Sequence, residues 1–190
     1  MRVITGTARG KHLETLGGEE IVRPTAEKVK EAIFSSIQFK IAGAKALDLF
    51  AGCGQLGIEA LSRGASVCTF IDSSRDATAV VVRNLKSTGL FSSSRVITSD
   101  SIRYLAHCKD EFDIIFVDPP YNKGIVNETL ELMSGVLSDG GLIICETEHR
   151  CELPELSGEL RLHKRYKYGK TAVTVYEKLT DRDDVRTGEE

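Results

Sequence analysis

Asp118-Pro119-Pro120-Tyr121 is the run whose residue types most narrowly restrict a chemistry. Two successive prolines have no N–H to donate and hold the backbone in a fixed shape, so their carbonyl oxygens project from a rigid loop beside the aspartate. Such a loop suits the exocyclic amine of a nucleic-acid base. That amine is a poor nucleophile because its lone pair is delocalised into the ring. The Asp118 carboxylate and the Pro119 carbonyl can take its two hydrogens and favour the pyramidal form that attacks a methyl group, while Tyr121 stacks on the base. Asp118 need not be a full general base, since the proton can leave after the methyl group has moved.

Gly52-Cys53-Gly54-Gln55-Leu56-Gly57 satisfies G-x-G-x-x-G, with Asp72 ending the next apolar run where a ribose diol would be held. Glycines let a backbone approach a ligand closely, a need common to NAD and S-adenosylmethionine. Asp48, just before Phe50, Ala51 and the glycines, favours the second. An acid there repels a pyrophosphate and suits ammonium and sulfonium charges. Asp100 and Ser101 follow a third apolar run, where Asp100 is placed to accept from an adenine amino group or to cap a helix.

These residues need a scaffold that brings strand ends together. From about residue 45 onward, apolar runs alternate with helical stretches, the pattern of a parallel sheet. Strands are expected over 46–50, 67–71, 95–98, 112–117 and 142–146, with 112–117 apolar on both faces and therefore central. Helices are expected over 57–63, 74–87 and 127–137, the last leading through Asp139-Gly140-Gly141 into the fifth strand. Residues 159–166 and 171–177 read as a hairpin turning at 167–170, which makes the final strand antiparallel. The first forty residues hold a hairpin over 2–16, turning around Gly6 to Gly10, and a helix over 26–38 started by Pro24 and Thr25. One domain over 1–180 is expected, with 1–40 as an extension, 45–178 as the core and a frayed tail over 181–190.

Composition bounds the function classes. Hydrophobic residues are 41% and charged residues 28% of 190, which is ordinary for a globular protein. Neither a signal-like stretch nor a membrane span is present in the sequence, so a cytoplasmic protein is expected. Five cysteines without a C-x-x-C pair point to reduced thiols, with neither disulfides nor a metal. The net charge of −3 excludes a protein that simply coats nucleic acid. The charge is uneven, however: residues 1–45 carry 8 Lys/Arg against 5 Asp/Glu, and residues 46–158 carry 9 against 16. Candidate phosphate contacts are Arg2, Arg9 and Lys11 at the start and Lys164, Arg165, Lys167 and Lys170 near the end, or these are solvated basic faces.

Asp48-Leu49-Phe50-Ala51-Gly52-Cys53-Gly54 together with Asp118-Pro119-Pro120-Tyr121 resembles a class I amino-methyltransferase. Further residues resemble the bacterial 16S ribosomal RNA guanine-N2 methyltransferase family over nearly the whole chain. They are Arg2-Val3-Ile4-Thr5-Gly6 with Arg9-Gly10-Lys11, Arg23-Pro24-Thr25 with the run from Lys28 to Phe34, Leu61-Ser62-Arg63-Gly64-Ala65 and Tyr168-Gly169-Lys170-Thr171. The resemblance implies methylation of a guanine N2 amine in small-subunit ribosomal RNA, free or within an assembling subunit. It also implies a Rossmann-like fold with a seven-stranded, mostly parallel sheet, an antiparallel last strand and helices on both faces. S-adenosylmethionine is its cofactor, and the catalytic tetrapeptide carries over to Asp118 through Tyr121. Independently of the resemblance, Arg23 either meets RNA or, with Pro24 and Thr25, closes over the methionine end of the cofactor. A monomer is expected. The family commonly has Glu where this chain has Asp72, and the shorter side chain puts contact with both ribose hydroxyls in question. The competing readings are a DNA adenine-N6 methyltransferase, for which no length is left for target recognition, a NAD-dependent oxidoreductase and a catalytically silent nucleic-acid-binding module.

Overall fold

The computed structural model describes residues 1–17, 24–120 and 125–179. Five parallel strands follow the expected order: β1 (Lys45–Asp48), β2 (Val67–Asp72), β3 (Ser94–Thr98), β4 (Phe112–Val117) and β5 (Leu137–Glu148). The short strand β6 (Leu156–Ser157) and the hairpin of β7 (Leu160–Tyr168) and β8 (Thr171–Lys178) join them, and the sheet order is β3-β2-β1-β4-β5-β8-β7-β6. β8 is antiparallel to β5, as expected for the last strand. Among the described residues the sheet has eight strands where seven were expected. The extra one, β6, pairs antiparallel with the start of β7 at the sheet edge. Two residues between Pro154 and Gly158 are too short to show the alternation by which strands are recognised.

Helices cover both faces because the strands alternate. Ala46, Ile114, Phe116 and Ile144 face α1 (Pro24–Ser36), α3 (Gln55–Ser62) and α4 (Arg75–Thr88), where Phe34, Ile58 and Val81 are buried. Leu47, Ile115, Val117 and Ile143 face α5 (Ser101–His107) and α6 (Ile125–Ser134), packed against Leu105, Leu130 and Met133. α1 begins at Pro24, a residue whose missing N–H is no loss in a first helical turn, and a short helix, α2 (Gln38–Ile41), continues beyond it.

Two expectations are corrected by the sheet. Asp139-Gly140-Gly141 is not a turn before the strand. β5 starts at Leu137, which pairs with Phe112, and the register then shifts so that Ile114 meets Leu142. The glycines sit in that bulge, with Gly140 at φ 69°. The N-terminal hairpin over 2–16 is reduced to one antiparallel bridge, Arg2 to His12, because residues 4–10 turn away to meet α3.

Candidate active site

β1 pairs with β2 on one side and with β4 on the other, so the winding of the chain reverses between them. In open sheets of this kind a crevice forms there, beyond the carboxyl ends of the strands. Asp48, Asp72, Asp118 and Glu146 lie at that edge, and Asp100 lies just beyond β3.

On the β1–β2–β3 side every acid holds backbone. Asp48 is buried and its Oδ2 accepts from the Gly57 N–H at 2.9 Å, which ties the strand to the first turn of α3. Burial pushes its acid up to about 7, against the Gly57 hydrogen bond and with help from the charges of Asp118 and Asp72. Asp72 accepts from the Gly52 and Ser74 N–H groups, both at 2.9 Å, one on each oxygen. Each oxygen keeps a further lone pair, so a ribose contact would add to the loop-pinning role. Asp100 caps α5 through the Arg103 N–H at 2.9 Å, and Ser101 is buried behind it. Ala51 is buried and Phe50 half-buried, with the Ala51 N–H bonded to the Ile71 carbonyl at 2.9 Å.

The glycines divide their work. Gly52 has φ 54° and open space where a Cβ would be, the arrangement that permits close approach of a ligand. Gly54 at φ 82° is different: a Cβ there would meet Ile58, Val81 and Phe70 at 3.2–3.4 Å, so its need is core room and backbone shape. At Gly57 a Cβ would stand 2.3 Å from the Phe70 ring, and this glycine is what lets α3 lie against β2.

On the β4–β5 side the acids are unengaged among the described residues. β4 and β5 run in register, with Phe116 opposite Ile144 and Val117 opposite Cys145, so Asp118 and Glu146 stand side by side one step further on. Both are half-buried, and neither has a hydrogen-bond or ion-pair partner among the described residues. Burial pushes the Asp118 acid above the usual carboxylate range. Burial, and then the Asp118 charge, does the same to Glu146. Pro119 is buried and Pro120 exposed. Tyr121 and Arg23 lie outside the described residues, and Thr25 is in the first turn of α1.

The candidate phosphate contacts fall into two groups. Arg9 and Lys11 are exposed beside the Arg2 to His12 bridge, without an ion-pair partner among the described residues, whereas Arg2 forms a two-point contact with Glu27 at 3.2 Å. Lys167 and Lys170 are exposed at the β7–β8 turn, which lies at the same sheet edge as Asp118 because Thr171 pairs with Glu148. Lys164 is exposed further down β7. Arg165 is engaged locally, donating to the His149 and Cys151 carbonyls.

Three residues of the site region carry no mark in the motifs. Asn84 donates to the Cys53 and Glu14 carbonyls, both at 2.9 Å, and accepts from the Glu14 N–H at 2.8 Å, so it joins the glycine loop to the N-terminal arm. Glu59, fully buried, accepts from the Ile4 and Thr5 N–H groups at 2.8 and 3.0 Å and pairs with Arg63 at 2.8 Å and Lys30 at 3.4 Å. Both are polar residues on the apolar face of a helix, a pattern visible in the sequence. Glu146 obeys the rule that selected Asp72, Asp100 and Asp118, an acid where a strand ends. Among the described residues no cluster of acids, cysteines and histidines is arranged to hold a metal, and no helix is long and apolar enough to cross a membrane.

The sequence profile of the family described as Conserved hypothetical protein 95 matches residues 1–177. A Bacillus subtilis protein named "Putative rRNA methyltransferase YlbH" is 42% identical over 183 residues, covering 94% of this chain and 99% of that protein. Ribosomal RNA small subunit methyltransferase D of Escherichia coli is 35% identical over 180 residues, covering 94% of this chain and 90% of that protein. The solved structure "Putative methyltransferase yhhF from Escherichia coli" superposes with a TM-score of 0.83 at 34% identity, over 95% of this chain and 99% of that one.

Proposed function

This chain belongs to the family described as Conserved hypothetical protein 95, and on that premise we propose that it transfers a methyl group from S-adenosylmethionine to the N2 amine of a guanine in small-subunit ribosomal RNA. The observation that carries the reading is Asp118. It is a half-buried acid without a partner among the described residues, on a proline-fixed loop at the crevice, facing a glycine loop whose own acids are already engaged. The crevice is lined by acids, and among the described residues no Lys or Arg pairs with Asp48, Asp118 or Glu146, so a cation fits there and a pyrophosphate does not.

When bound, S-adenosylmethionine supplies a methyl group made electrophilic by the sulfonium charge. Asp72 and Asp100 orient its ribose and adenine through their free lone pairs, and Gly52 gives it backbone access. The Asp118 carboxylate and the Pro119 carbonyl accept the two amine hydrogens, which localises the nitrogen lone pair toward the methyl carbon. The C–N bond forms as the S–C bond breaks, and the proton then leaves the amine to Asp118 or to water. The names of the relatives support ribosomal RNA as the substrate, and the exposed cations at Arg9, Lys11, Lys167 and Lys170 offer it phosphate contacts.

Incubation of labelled S-adenosylmethionine with ribosomal RNA from a strain lacking the gene and, in parallel, with unmethylated DNA tests this. Label in small-subunit RNA, recovered as N2-methylguanosine after digestion, is the expected result. Label in DNA as N6-methyladenine, or none in RNA, overturns it.

A further inference from the structure

We propose that Glu146 reads the identity of the base: its carboxyl accepts the N1–H of the guanine whose N2 amine Asp118 holds. The proposal rests on the functional reading above and adds to it the group that selects guanine.

Placement comes first. Asp118 and Glu146 follow paired positions on adjacent parallel strands, and neighbouring strands lie about 4.8 Å apart. By strand alternation both continue the face of Phe116 and Ile144, which belong to one buried cluster, so the two carboxyls share one side of the sheet. On its other flank Glu146 meets Val173 of β8, an apolar neighbour that offers no hydrogen bond from its side chain. A half-buried acid without a partner among the described residues is disfavoured as its carboxylate in the free protein, and its raised pKa, from burial first and then the Asp118 charge, agrees with that. A ligand donor at this point would satisfy it.

The chemistry of the base supplies that donor. In guanine the N2 amine and the N1–H stand next to each other on one edge. When Asp118 and the Pro119 carbonyl hold the amine, the N1–H falls to the neighbouring acceptor. Whichever carboxyl holds a shared proton, an oxygen of Glu146 remains to accept. In adenine the amine is flanked by an unprotonated ring nitrogen, which sets lone pair against lone pair at Glu146. A site built around a hydrogen bond rejects the analogue that lacks it.

The test uses ribosomal RNA carrying either guanine or 2-aminopurine at the mapped target. 2-Aminopurine keeps the N2 amine but has an acceptor at N1. Wild type should favour guanine in kcat/KM by about 10- to 100-fold, the usual worth of a good base-edge contact. Glu146→Gln, whose amide can donate to that acceptor, should narrow the preference at least about tenfold, with cofactor affinity by calorimetry unchanged. Equal use of the two bases by wild type overturns the proposal, and that arm needs no variant to fold. An unchanged preference in an active Glu146→Gln enzyme also overturns it. Absence of any transfer to guanine RNA by wild type is a separate result, which overturns the functional reading itself.

Discussion

Asp72 and Asp118 stand at the same height on either side of β1. Each lies two residues beyond a phenylalanine, Phe70 or Phe116, that pairs with Asp48. Asp72 gives one oxygen to Gly52 and the other to Ser74, while Asp118 has no partner among the described residues. The same contrast holds for their neighbours: Asp48 and Asp100 bind backbone N–H groups, and Glu146 binds none among the described residues. Acids on the glycine-loop side fix the shape of a loop before any ligand arrives. Acids on the proline-loop side receive no hydrogen bond from the described residues, and the proposed function gives them those of the base. The first arrangement resists change by stability, the second by activity.

The largest expected effect follows from the unengaged side. Asp118→Ala should lower turnover at saturating cofactor by about 100- to 1000-fold, the usual loss for a preorganised acceptor, with a melting temperature no lower than wild type. Transfer kinetics with thermal unfolding decides it, and a variant that melts early with normal turnover would erase the contrast.

Gly57→Ala probes the other side. A methyl group 2.3 Å from the Phe70 ring must push α3 off β2. We expect a loss of about 2 kcal/mol, read as a fall of about 6 °C in melting temperature.

Smaller effects are expected at the surface. Neutralising Arg9 and Lys11 together should weaken RNA binding and flatten its dependence on log salt by about 0.7–0.9 for each phosphate left without its cation, leaving cofactor affinity intact. An unchanged slope would make the arm a solvated face latched by Glu59 and Asn84.

Stability also carries a pH dependence that comes from Asp48. The Asp48 acid sits at about 7 in the folded protein, well above its ordinary value. Between about pH 4 and pH 7 the unfolded chain therefore releases this proton while the folded chain keeps it, so Asp48 lowers stability as pH rises through that window. Asp48→Asn can still accept from Gly57 and has no proton to lose. Its melting temperature should gain on wild type from about pH 4 to about pH 7 and hold the gain above. A constant difference would mean that Asp48 is ionised in the folded protein throughout.

Much of this was legible in the sequence because the relevant signals are local. The strand β4 is read correctly to the residue from Phe112 to Val117, and the glycine loop and Asp-Pro-Pro run name their own positions. What escaped depends on pairing. Gly140 and Gly141 look like a turn, but the register shift between β4 and β5 makes them a bulge. The motif that picks out Gly54 does not show that a Cβ there would also crowd Ile58, Val81 and Phe70. The partners of Asn84 lie 31 and 70 positions away, beyond the reach of any motif.

The division between the two sides is tested most directly by S-adenosylmethionine affinity in Asp72→Ala and Asp118→Ala, measured side by side by calorimetry. The account predicts at least about a tenfold loss for Asp72→Ala, which frees the Gly52 loop and removes a ribose acceptor, and a change within about twofold for Asp118→Ala. Strong loss of cofactor in Asp118→Ala with normal binding in Asp72→Ala would contradict it.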